Sequence, residues 1–94
     1  MASYLVSYDL DNPPQKPDYH PLIKRIKEWG GERLLYSEWL VNADDTTSVT
    51  LRDDLKQFID SSDGLIVLKL TGEGAWTGNG MMLTADTIKN RLSN

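Results

Sequence analysis

Asp9 is the residue of this 94-residue chain whose type and position first suggest chemistry. It closes the run Tyr4-Leu5-Val6-Ser7-Tyr8-Asp9-Leu10-Asp11, where a strand-forming stretch gives way to two acids. A buried strand that delivers a carboxylate to its own end can set up an ion or catalytic site. The competing reading is a strand-end carboxylate that faces solvent or caps the following turn. Asp11 reads as a turn residue, and the type of Tyr8 suits a core.

Other schemes find fewer parts. His20 is the single histidine and precedes Pro21 at a helix start, which suits a local polar contact better than the base of a Ser/His/Asp arrangement. One histidine and no cysteine leave zinc without its usual donors. The lack of cysteine also removes disulfides and fits a reducing cytoplasm. Gly72, Gly74, Gly78 and Gly80 invite comparison with a phosphate-cradling loop, but no Gly-Lys-Ser/Thr follows and the dinucleotide spacing is absent. Trp29, Trp39 and Trp76 could each stack on a base. Trp29 fits a buried helix stripe and Trp39 a strand, so Trp76 is the tryptophan expected to dock on a partner.

Composition bounds these readings. Hydrophobic content of 39% and charged content of 26% describe one ordinary globular domain. No apolar run approaches the ~20 residues that cross a bilayer, and no secretory signal is visible. The net charge of −4 argues against non-specific binding to a phosphate backbone as the dominant activity. Residues 1–42 carry five basic and six acidic side chains, against five and eight in residues 43–94. A local basic patch around Lys24, Arg25 and Lys27 competes with the plainer reading of a solvated helix face.

The elements that must position Asp9 follow from hydrophobic period. In the first strand Tyr4, Val6, Tyr8 and Leu10 share one face and Leu5, Ser7 and Asp9 the other. Both faces are apolar near the start, as in a central strand covered on both sides. Residues 12–17, with three prolines, are a stiff connector. Asp18 is the expected cap of a helix over Tyr19 to Trp29, with Leu22, Ile23, Ile26 and Trp29 inward and Gly30-Gly31 as its stop. Glu32 to Asn42 is extended, either as one interrupted strand or as a pair reversing near Ser37.

A second helix is expected from about Ser48, capped by Ser48 or Thr50, with Asp53 and Asp54 in its first turn. Leu51, Leu55, Phe58 and Ile59 form its apolar stripe. Leu65 to Leu70 is the clearest strand. Residues 72–94 form a C-terminal tail of the same domain or dimer, either mobile or with a short extra strand, in which Thr84 to Leu92 either form a short helix with Ile88 and Leu92 inward or fray. Residues 1–71 then give an α+β, ferredoxin-like βαββαβ core, an antiparallel sheet with two helices on one face. The open face in so small a domain calls for a second subunit.

Three stretches carry a resemblance. They are Tyr-Leu-Val-Ser-Tyr-Asp-Leu from residue 4, Gly-Gly-Glu-Arg-Leu-Leu-Tyr-Ser-Glu-Trp-Leu from residue 30, and Leu-Lys-Gln-Phe-Ile-Asp-Ser-Ser-Asp-Gly-Leu-Ile-Val from residue 55. Together, over residues 3–71, they resemble the second CRISPR-associated (Cas) family of small adaptation proteins, described as endoribonucleases or endonucleases. The resemblance implies a cytoplasmic homodimer in which Asp9 of each subunit, beside Tyr8, reaches a cleft and holds Mg²⁺ or Mn²⁺. Hard cations suit this, since two carboxylates suffice where phosphate supplies further oxygens. Arg33 matches the family's arginine, and Ser37 and Trp39 its Ser-x-aromatic.

Arg33, Lys16 and Lys24 are the residues expected to meet RNA or DNA. The family's arginines after the Tyr-Asp are missing, and Lys16 is the single basic residue there. The tail around Trp76 is also atypical. Both departures point to a divergent relative outside CRISPR loci. The alternatives are a non-catalytic dimeric scaffold that binds protein or nucleic acid, and a toxin-like ribonuclease resembling virulence-associated protein D, which shares the fold.

Overall fold

The computed structural model describes residues 2–12, 20–78 and 80–93. Four strands form one antiparallel sheet: β1 (Ala2–Asp9), β2 (Glu32–Leu35), β3 (Glu38–Ala43) and β4 (Gly64–Lys69), in the order β2-β3-β1-β4. Helix α1 (Pro21–Glu28) links β1 to β2, and α2 (Ser48–Leu55), extended by a 3₁₀ turn at Lys56–Phe58, links β3 to β4. Each helical connection returns the chain two positions along the sheet, which is the split βαβ arrangement of a ferredoxin-like domain. A third helix, α3 (Ala85–Leu92), follows.

β1 is central, as its two apolar faces suggest. It pairs with β3 from Ala2↔Ala43 to Ser7↔Glu38 and with β4 from Tyr4↔Lys69 to Asp9↔Gly64. One face packs Tyr4, Val6, Tyr8, Trp39, Val41 and Val67 in a single cluster with Leu22, Ile23 and Ile26 of α1 and Leu51 and Leu55 of α2. Full burial of such side chains contributes about 1.5–3 kcal/mol each, enough to hold both helices on this face. Asp54 ties the helices together: it accepts from Arg25 Nε (2.7 Å) and Nη2 (3.0 Å) and from Trp29 Nε1 (2.8 Å). The Arg25 guanidinium holds the Asp54 carboxyl below the usual carboxylate range.

Several local expectations need correction. Asp18 and Tyr19 lie outside the described residues. The described α1 begins at Pro21, and His20 caps it, its Nδ1 accepting from the Leu22 amide at 3.1 Å. Thr47 rather than Ser48 or Thr50 caps α2, accepting from the Thr50 amide at 3.1 Å. Asp53 and Asp54 consequently sit near the end of α2, not in its first turn. Helix α1 does stop at Gly30-Gly31: the Gly30 amide donates to Lys27 O and that of Gly31 to Ile26 O, with Gly30 at φ +80°. Gly31 is also sterically obligatory, because a Cβ there would lie 2.6 Å from Ile26 Cγ2 and 3.2 Å from Val41 Cγ2.

The segment from Glu32 to Asn42 is a strand pair reversing at Tyr36-Ser37, with an irregularity between Arg33 and Leu35. Beyond Lys69 no further strand forms among the described residues. The tail instead folds back over the second face of its own sheet. Trp76, Met81, Ile88 and Leu92 meet Leu5, Leu34, Leu40 and Leu70 around a cavity of about 160 Å³. Ile88 is only 2% exposed, so α3 forms with Ile88 inward. Arg91 fastens the helix end: it pairs with Glu32 and donates to Gly30 O (3.0 Å) and Asn42 Oδ1 (3.1 Å), while Asn42 Nδ2 donates to Arg91 O (2.8 Å). The tail therefore covers part of the face expected to be open, and Trp76 is half-buried there.

Candidate functional site

The end of β1 carries the candidate site. Alternation along the strand puts Ser7 and Asp9 on the face away from α1 and α2, outside the residues that line the tail-side cavity. Asp9 is exposed and pairs with Gly64. A Cβ on Gly64 would lie 3.9 Å from Asp9 Cβ, an ordinary van der Waals contact, so Gly64 is the cross-strand neighbour of Asp9 without being sterically required there. Ser7, Tyr8, Asp9, Gly64, Leu65 and Ile66 line a shallow depression of about 270 Å³. Ser7 Oγ donates to Glu38 Oε2 on β3 at 3.1 Å, adding a second carboxylate to the same face.

Asp63 fixes the path by which the chain leaves this site. Its Oδ1 accepts from the Asp11 amide and its Oδ2 from the Asp60 amide, both at 2.8 Å. These two backbone donors, Asp60's first, hold the Asp63 carboxyl below the usual carboxylate range. Asp11 is thus a turn residue held through its backbone. Glu38 and Asp63 were both missed in the sequence. Glu38 is the unspecified middle of the Ser-x-aromatic triplet, and Asp63 stands in a polar Ser-Ser-Asp-Gly stretch whose composition gives no sign of its two amide partners.

Tyr8 and Asp9, adjacent in sequence, point to opposite faces. Tyr8 is 8% exposed within the helix-side core, and its hydroxyl accepts from Trp39 Nε1 at 3.2 Å. Arg33 is half-buried, its guanidinium 4.7 Å from the Trp39 ring centroid and 5.9 Å from that of Tyr36. Lys24 is exposed on α1, in the helical layer. Lys16 lies outside the described residues. The structure therefore does not gather Arg33 and Lys24 with Asp9 into one basic surface.

Among the described residues, no group of three or more His, Cys, Asp and Glu is placed to hold a metal ion. The donors at Asp9 suit a hard cation by type, but one chain does not complete a site. No helix among the described residues is long and apolar enough to cross a membrane.

A four-stranded antiparallel sheet with an exposed aspartate at the end of its first, central strand defines a small α+β, ferredoxin-like protein. The sequence profile of the family CRISPR associated protein Cas2 matches residues 1–77, most of the chain and all four strands. The chain belongs to that family. No solved structure matches it.

Proposed function

We propose that the protein is a homodimeric, metal-dependent nuclease of the cytoplasm, acting on RNA or DNA, in which Asp9 of each subunit contributes to a shared Mg²⁺ or Mn²⁺ site. The observation that carries this reading is the exposed Asp9 on the uncovered end of the sheet, paired with Gly64. A hard cation between two such carboxylates would supply a water of lowered pKa and neutralise charge on a phosphodiester. The chain's own residues prepare the place. Asp9 offers its oxygens to solvent, and Asp63 holds the strand exit by two backbone amides.

Ile66 and Leu68 are 52% and 45% exposed on the same face of β4, beside Ser7 and Leu5. They give a second copy an apolar seat next to Asp9. The same pair favours a second reading, a non-catalytic dimeric scaffold. Two measurements separate them. Asp9→Asn should abolish Mg²⁺-dependent cleavage of RNA and DNA while light scattering still reports a dimer; unchanged cleavage would sink the site. Wild-type protein that dimerises yet cleaves neither substrate would leave the scaffold.

A further inference from the structure

We infer that the tail is a displaceable cover on the surface by which two copies of this chain meet, so that pairing through the sheet requires α3 to leave it. This rests on the homodimer reading above and names what controls it. The face of β1 that carries Ser7 and Asp9 includes Leu5, which lies between Leu40 of β3 and Leu68 of β4. The tail sits on Leu5, Leu34, Leu40 and Leu70 and leaves Ile66 and Leu68 exposed on β4. A stable protein interface takes about 800 Å² from each partner. Two half-exposed aliphatic side chains make a small apolar centre for such an area. The four leucines under the tail lie beside them and would extend it.

The cover is lightly attached. From Thr71 to Gly78 every residue but Trp76 is exposed, and Ile88 is the one buried residue of α3. An eight-residue helix is too short to persist alone in water, so α3 forms by docking and unravels once undocked. Polar fastenings hold it down. Arg91 pairs with Glu32 and donates to Gly30 O (3.0 Å) and Asn42 Oδ1 (3.1 Å), and the Met82 amide donates to Leu34 O (3.1 Å). Gly72 makes the return of the chain possible: it stands at φ +94°, and a Cβ there would lie 3.1 Å from Leu92 O. Few buried apolar contacts and a polar fastening describe a unit that opens locally while the helix-side core stays closed. Both copies have to open before they pair, so the apparent dimer Kd varies with the inverse square of the open fraction.

Sedimentation equilibrium and amide exchange on the full-length protein test this without a cleavage assay. In wild type, residues 85–92 should exchange faster in concentrated, dimeric samples than in dilute monomer, the reverse of ordinary burial at an interface. Arg91→Ala removes charged hydrogen bonds and should raise the opening of residues 85–92 in dilute monomer by about tenfold or more. It should then lower the dimer Kd by the square of that factor, about a hundredfold or more. Gly72→Ala should shift both quantities in the same direction. A dimer in which residues 85–92 keep their protection, or variants whose Kd is unchanged or weaker, overturns the inference and leaves the homodimer reading standing. Absence of a dimer in wild type and in both variants removes the two together.

Discussion

The two faces of β1 are built to different standards. On the helix side Tyr4, Val6 and Tyr8 lie in a continuous core, and their polar atoms end on defined partners, Tyr4 on Thr46 O and Tyr8 on Trp39. On the other side Leu5 lies under the tail, Ser7 bonds to Glu38, and Asp9 stands in solvent. The period of two lets one strand anchor the fold with every second residue and present chemistry with those between. A substitution one position along should thus move an effect from stability to activity.

The largest contrast concerns packing. Leu55→Ala, in the helix-side core, should cost about 2–5 kcal/mol and lower the whole unfolding transition. Ile88→Ala, equally buried but on the tail side, should chiefly raise amide exchange across residues 85–92 and leave the helix-side core protected. If both variants unfolded the chain to the same extent, the two faces would be one cooperative unit. A smaller contrast separates the neighbours Tyr8 and Asp9. Tyr8→Phe leaves the buried Trp39 Nε1 without its acceptor and should cost about 1–3 kcal/mol in chemical denaturation. Asp9→Asn should leave that midpoint in place while cutting cleavage by roughly 10²-fold or more.

The finest contrast is with pH. The folded-state pKa of Asp63 is depressed, so its stabilisation is present above the usual carboxylate value of about 4 and disappears as pH falls through the lower folded value. Asp63→Asn should therefore flatten the acid limb of a stability-versus-pH curve below about pH 4 and leave the neutral limb parallel to wild type. An unchanged acid limb would mean that the two amides contacting Asp63 do not hold it in solution.

Hydrophobic period made most of the architecture legible. The alternation from Tyr4 to Asp9, the stripe through Leu22, Ile23 and Ile26, and the run from Leu65 gave three elements with nearly their observed limits. Ile88 and Leu92 likewise marked α3. Asp9 was visible because a strand that ends in an acid is locally unusual. What escaped notice depends on partners far along the chain. Arg91 finds Gly30, Glu32 and Asn42 only after α3 has docked, and nothing near residue 91 encodes them. Trp76 looked destined for a partner because its glycine-rich surroundings offer no local core. Its own sheet, reached by a long return of chain, supplies one. The cap of α1 at His20 lies two residues from the expected Asp18, and that of α2 at Thr47 one residue from Ser48 and three from Thr50, because several neighbouring polar side chains could each reach a free amide.

The central position of β1 also sets a timetable. During synthesis its residues emerge before either neighbour, yet the first pairing partners lie at residues 38–43 and the second at 64–69. Until Lys69 has been added, Tyr4, Val6 and Tyr8 belong to a strand with at least one edge unfilled. Pairings so distant along the chain make slow folding steps, because a long loop must close before any contact rewards it. The last strand made is thus the one that completes the first, and a nascent chain stopped before residue 64 should remain open to proteolysis at its leading end.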